Sequence, residues 1–261
     1  MKLIIFSKKI FYTIFIILLI IFFGFVYSYN KNFISVASSS EIKDLNLENK
    51  LKSISNNEKV AYLTFDDGPT LKATAKVLDI LKKCDVKASF FVVGKHVKEQ
   101  PNLVKRAYDE GHYIANHGYN HNNSKLYKSV DSFVQEIKNT DNEIGKAIGV
   151  ENYCSHIFRF PNGFTSKIYK NEKKLALKSL ANMNYYYIDW NCLNNDSIKK
   201  YSSYQLLSNL KKSSKNKDVL VVLMHDTADV SDSTLVLEDS INYLKEQGYI
   251  FKNFYNITST L

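Results

Sequence analysis

The chain has 261 residues, 45% of them hydrophobic and 23% charged, with 35 Lys+Arg against 26 Asp+Glu for a formal charge of +9. This balance excludes wholesale disorder, a collagen-like repeat and a disulfide-stapled mini-protein. All but two of the basic residues are lysine, so Arg106 and Arg159 stand out, as do the single Trp190 and the three prolines Pro69, Pro101 and Pro161.

Ile10 to Tyr27 carry no charge, with Lys2, Lys8 and Lys9 before them and Lys31 after. The stretch is long enough to span a bilayer and has no polar face. Its apolar core is longer than that of a signal peptide, and the nearest small-x-small site, Val36-Ala37-Ser38, is distant. The expectation is a single-pass signal anchor in the cell membrane, with the lysines cytoplasmic and everything after residue 30 outside. Secretion after signal-peptide cleavage is the alternative. Residues 1–29 are thus read as cytoplasmic lysines and transmembrane anchor, 30–58 as an extracytoplasmic linker with one short helix around Ile42 to Ile54, and 59–261 as a single domain.

From Lys59 onward, short apolar runs alternate with segments of helical period. Strands are predicted over Val60–Phe65, Lys87–Val93, Tyr113–Asn116, Ile157–Phe160, Tyr185–Trp190, Val219–Met224 and Tyr249–Phe254. Helices are predicted over Leu71–Lys83, Asn102–Glu110, Ser132–Ile148, Glu172–Met183, Gln205–Ser214 and Thr234–Gln247, with Gly111 and Gly248 where a C-terminal stop belongs. The alternation predicts an α/β fold with a parallel sheet, curled or closed. No glycine-rich phosphate fingerprint follows any strand, which disfavours an open nucleotide-binding sheet. Cys84, Cys154 and Cys192 form no C-x-x-C pair and give no disulfide framework.

Catalytic residues in such a barrel collect at the carboxyl ends of strands. There the sequence places Asp66-Asp67-Gly68-Pro69, His117-Gly118-Tyr119-Asn120-His121, Arg159-Phe160-Pro161-Asn162-Gly163, Asp189-Trp190 and, after Leu223-Met224, His225. Adjacent carboxylates repel unless a cation compensates or one is protonated. Two histidines four apart would lie on one face of a helical turn and could share a metal. A carboxylate and two imidazoles leave a coordination position open for water, as catalytic metal sites do. His96, His112 and His156 lack such partners and are read as structural.

Thr64-Phe65-Asp66-Asp67-Gly68, His117-x-x-x-His121, Arg159-x-Pro161-x-Gly163, Asp189-Trp190 and Leu223-x-His225 occur in the order and spacing of the five motifs of the polysaccharide deacetylases. The chain from about Lys59 to Tyr255 thus resembles carbohydrate esterase family 4, the NodB-homology domain. The resemblance implies a distorted (β/α)7-type barrel and metal-dependent hydrolysis of an acetamide on an amino sugar of a cell-surface polysaccharide. Peptidoglycan N-acetylglucosamine is the expected substrate and glycan strands the expected partner, with no nucleic acid.

By this resemblance Asp67, His117 and His121 would hold a divalent metal, with Zn2+ expected and Co2+ or Ni2+ able to substitute. Asp66 would act as general base, oriented by Arg159. His225 would act as general acid, oriented by Asp189. The Asn162 N–H would meet the oxyanion, Pro161 and Gly163 would shape that turn, and Trp190 and Leu223 would wall the groove. The sequence departs from the family at Gly118, where Ser or Thr is usual, and at Phe160, Asn162 and Tyr186. The alternatives are a deacetylase of chitooligosaccharide, exopolysaccharide or spore-wall muramic acid, and a non-catalytic wall-binding module.

Overall fold

The computed structural model describes residues 15–22, 45–227 and 229–258. The chain divides into two compact units, Met1–Ser38 and Ser39–Leu261. In the first, residues 15–22 are helical with exposed side chains. Among the described residues no helix is long and apolar enough to cross a membrane. Most of the stretch read as an anchor, Ile10 to Tyr27, lies outside the described residues.

The second unit runs α1 (Leu47–Ile54), β1 (Val60–Asp66), α2 (Thr74–Lys83), β2 (Ser89–Val92), α3 (Gly94–Glu99), α4 (Pro101–Asp109), β3 (Tyr113–Asn116), α5 (Asn123–Leu126), α6 (Val130–Ile148), β4 (Ile157–Phe158), α7 (Lys170–Asn182), β5 (Tyr186–Tyr187), β6 (Cys192–Leu193), α8 (Ser203–Ser214), β7 (Val219–His225), α9 (Leu237–Glu246), β8 (Ile250–Phe251) and α10 (Tyr255–Thr258). The strands form one parallel sheet of order β5-β4-β3-β2-β1-β7-β6, and β8 also pairs with β1. Among the described residues β5 and β6 do not pair, so the sheet stays open between them. All seven predicted strands are present. The two-residue β6 is additional.

β1 is buried along its whole length, as a strand covered on both faces must be. The side chains divide with period two. Ala61, Leu63 and Phe65 face a core shared with Val77, Leu78 and Leu81 of α2 and with Leu237, Ile241 and Leu244 of α9. Val60 and Tyr62 face a second cluster, inside the curve of the sheet, with Val219 and Val221 of β7 and Phe254 and Ile257 near the C-terminus. That inner cluster also contains Leu47 and Leu51 of α1, both with no exposed surface. The segment read as linker up to residue 58 therefore contributes a core helix. Asn46 caps α1 at the Glu48 N–H and bridges to Tyr187 of β5.

Register sets the site. Asp66, the last residue of β1, stands opposite Phe91 on β2 and His225 on β7. Asn116 of β3 stands opposite Phe158 of β4, which brings the following residues, His117 and Arg159, side by side.

Candidate active site

Arg159 is fully buried and ties three strands together. Its Nη1 donates to Thr64 Oγ1 at 2.7 Å and Asp66 Oδ1 at 2.8 Å, while Nε and Nη2 donate to the carbonyls of Ile188 and Asp189, each at 3.1 Å. The guanidinium stacks over Phe91 at 3.9 Å. A planar fork with this many fixed donors is work a lysine cannot do, which accounts for the arginine here.

Asp67 follows β1 with its backbone in the left-handed region, φ 75°. His96 Nδ1 donates to its carbonyl at 2.8 Å, so this histidine, set aside in the sequence as structural, fixes the conformation of the acidic residue. Asp67 Oδ1 lies 3.4 Å from His117 Nε2 and 3.1 Å from His121 Nε2. The three side chains offer ligand atoms within 4.8 Å of one another.

The two histidines are not on a helix, contrary to the spacing argument. They flank a turn after β3 in which His121 itself has φ 50°. That turn, with Gly118 at φ 82°, folds the second imidazole back towards the first, with ring centroids 5.0 Å apart.

The donor set fits a divalent cation. Asp67 Oδ1 is buried with no hydrogen-bond partner, an orphan that a cation would satisfy. His117 Nδ1 donates to the Arg159 carbonyl at 2.8 Å, which fixes the ring and leaves Nε2 facing the site, the usual arrangement behind a ligating histidine. Burial opposes the charge on Asp67. The neighbouring imidazoles of His117, His121 and His225 outweigh it and hold the carboxyl well below the ordinary range. Burial likewise opposes a proton on His117, but Asp66 and Asp67 raise its pKa overall, whereas burial and the neighbouring His117 lower that of His121.

Opposite this cluster His225 ends β7, its Nε2 3.9 Å from Asp67 Oδ2. Its partner differs from the sequence expectation. Asp196, in the turn after β6, accepts from His225 Nδ1 at 2.7 Å and from the His225 backbone N–H at 2.8 Å. Asp189 instead accepts the backbone N–H groups of Phe164 at 2.8 Å and Thr165 at 3.1 Å. The reason is topological: Asp189 follows β5, at the far edge of the sheet from β7, while β6 pairs directly with β7.

The family model of polysaccharide deacetylases matches residues 53–185. The chain belongs to the polysaccharide deacetylase family. It is 35% identical over 197 residues to the peptidoglycan-N-acetylmuramic acid deacetylase PdaA of Bacillus subtilis, covering 75% of this chain and 70% of that protein. It is 32% identical over 233 residues to a peptidoglycan-N-acetylglucosamine deacetylase of Bacillus cereus, covering 86% and 80%. Among solved structures, the catalytic domain of a peptidoglycan N-acetylglucosamine deacetylase from Eubacterium rectale superposes with a TM-score of 0.67 at 32% identity, covering 75% of this chain and 88% of that one. A CE4 esterase of Streptococcus mutans gives 0.69 at 29% identity, covering 78% and 90%. The open, curled parallel sheet is the distorted barrel of this family, and the protein is a polysaccharide deacetylase, a hydrolase of amide bonds.

In this polysaccharide deacetylase the remaining sequence-selected residues gather at the same strand ends. Asn162 adopts φ 65° and Gly163 φ 77°. A Cβ on Gly163 would lie 3.0 Å from the Trp190 ring, so the turn and the indole are in direct contact. Leu223 is buried on β7, two residues before His225. Fully buried Lys173 donates to the Gly163 carbonyl and so holds this turn from behind. Asp196, His96 and Lys173 were missed in the sequence. Asp196 lies in an Asn-Asn-Asp-Ser run that reads as loop, and the Asp-Trp pair drew attention to Asp189. The three cysteines are free.

Proposed function

We propose that this chain is a metal-dependent deacetylase of peptidoglycan glycan strands, acting on N-acetylglucosamine. The observation that carries the reading is the placement of Asp67. One carboxylate faces both histidines of the candidate cation site through Oδ1 and the imidazole of His225 through Oδ2.

A divalent cation held by Asp67, His117 and His121, with Zn2+ the best match to mixed nitrogen and oxygen donors, would polarise the acetamide and activate water. The chain's own residues supply the rest. Asp66, anchored by Arg159, accepts the proton of the attacking water. The Asn162 N–H, in a turn fixed by Asp189 and Lys173, faces the developing oxyanion. His225 gives its proton to the leaving amine. Burial opposes that proton, but the hydrogen bond and charge of Asp196, with Asp66 and Asp67, raise the His225 pKa to about 9, so the donor is charged at neutral pH. Trp190 and Leu223 wall the acetyl site. The uncharged N-terminal stretch supports a single-pass membrane attachment with the catalytic domain outside, next to the wall polymer.

A second reading, deacetylation of N-acetylmuramic acid in the same strands, is favoured by the Bacillus subtilis relative named for that substrate. The test incubates the full chain with glycan strands and Zn2+, measures acetate, and locates the free amine by mass spectrometry of muramidase fragments. Free amine on glucosamine supports the first reading and on muramic acid the second. No acetate from either sugar overturns both, and equal acetate release after chelation overturns the metal.

A further inference from the structure

Glu136 sits in the middle of the buried stripe of α6, among Phe133, Ile137, Thr140 and Ile144, where the helical period calls for an apolar residue. The residue is buried, with 8% of its surface exposed. Oε2 accepts the backbone N–H groups of Tyr119 and Asn120, each at 2.8 Å, and Oε1 accepts from Asn120 Nδ2 at 2.6 Å. Those donors lie between His117 and His121. The same turn is held at Gly118, whose N–H donates to Asn116 Oδ1 at 2.9 Å, and at the carbonyls of Gly118 and Tyr119, which accept from the N–H groups of Gly94 and Lys95, each at 3.0 Å.

A buried carboxylate spent wholly on one turn needs a reason, because desolvating it is costly and an apolar residue would pack α6 more cheaply. The reason on the page is the conformation of the turn. His121 is a non-glycine residue in the left-handed region, a conformation that persists only where its surroundings over-determine it. Released from Glu136, Tyr119 and Asn120 lose three hydrogen bonds, and the second imidazole loses the backbone that aims it at Asp67. We infer that Glu136 is a positioning residue for the cation site, setting the separation of His117 and His121 before any metal arrives. This rests on the assignment of Asp67, His117 and His121 as ligands.

The test is zinc affinity of the full chain, measured by competition with a chromophoric chelator, for wild type, H117A, E136A, E136Q and N120A. Loss of an outer partner of a metal ligand typically weakens binding roughly 10- to 100-fold, and that is the expectation for E136A. E136Q retains the shape and one acceptor oxygen and should fall between E136A and wild type. N120A removes only the Oε1 bond and should cost less than E136A. Because no ligand is lost, excess zinc should restore acetate release to E136Q.

A wild-type affinity that H117A leaves unchanged overturns the ligand assignment itself. Zinc binding that H117A abolishes, with E136A within about twofold of wild type, overturns the role of Glu136 while the assignment stands. If E136A does not fold, E136Q decides by the same criterion.

Discussion

Asp196 grips His225 twice, through Nδ1 of the ring at 2.7 Å and through the backbone N–H at 2.8 Å. The Ser233 hydroxyl donates to Oδ2 of the same carboxylate, so neither oxygen is free to swing away. The ring is thereby fixed in one orientation, with Nε2 towards the site. In its proposed role as general acid His225 is competent only while protonated, and its pKa of about 9 places the expected alkaline fall of kcat/KM near that pH. Asp196→Asn removes the charge that opposes burial. The alkaline limb should move down by roughly one pH unit or more. A limb that stays in place would show that His225 is not the group titrating there.

Asp189→Asn should behave differently. Its carboxylate holds Phe164 and Thr165, not the imidazole, so the alkaline limb should coincide with that of wild type. The loss should appear in kcat, roughly 10- to 100-fold for a misplaced oxyanion turn. Comparing the two pH profiles separates the positions, and a shifted limb in Asp189→Asn would contradict the assignment of Asp196.

Arg159→Lys keeps a charge but cannot reproduce donors to Thr64, Asp66, Ile188 and Asp189 at once. Leaving some of these buried acceptors without a donor should cost about 1 to 3 kcal/mol, read as a lower urea midpoint, together with most of the activity. An unchanged midpoint would mean that the site's framework does not depend on this side chain.

Gly163→Ala meets two obstacles, a backbone at φ 77° and the Trp190 ring 3.0 Å from the new methyl carbon. The cost should be at least about 1 kcal/mol. Trp190 is the only tryptophan in the chain, so its emission reports the displacement without interference. A spectrum identical to wild type would place the indole elsewhere.

Much of the site could be read from the sequence because its residues are tied to strand ends, and strands announce themselves by apolar runs. Asp66, Asp67, His117, Arg159 and His225 all sit at or just beyond such ends. What was not legible depends on partners distant in sequence. Asp196 follows a two-residue strand whose Cys-Leu lies between asparagines and shows no run at all. Glu136 reads as one more acidic residue on a charged helix, and only the fold reveals which backbone groups its carboxylate holds. The helix α1 was foreseen as a short helix but placed in a linker, because two leucines among polar residues give no hint that they fill the concave face of a sheet formed by the rest of the chain.

The pairing of β1 bears on how the protein comes to fold at all. This central strand is flanked by β7 along its full length and by β8 at its amino end, both made well over a hundred residues after it. Leu47 and Leu51 likewise wait for Phe254 and Ile257 to complete their cluster. During synthesis one edge of β1 stays open and the inner core stays unfinished until β7, β8, Phe254 and Ile257 have emerged. Assembly of this sheet therefore waits on contacts distant in sequence and is slow for its size, and a ribosome-bound fragment ending before β7 should present an exposed strand edge to whatever lies nearby.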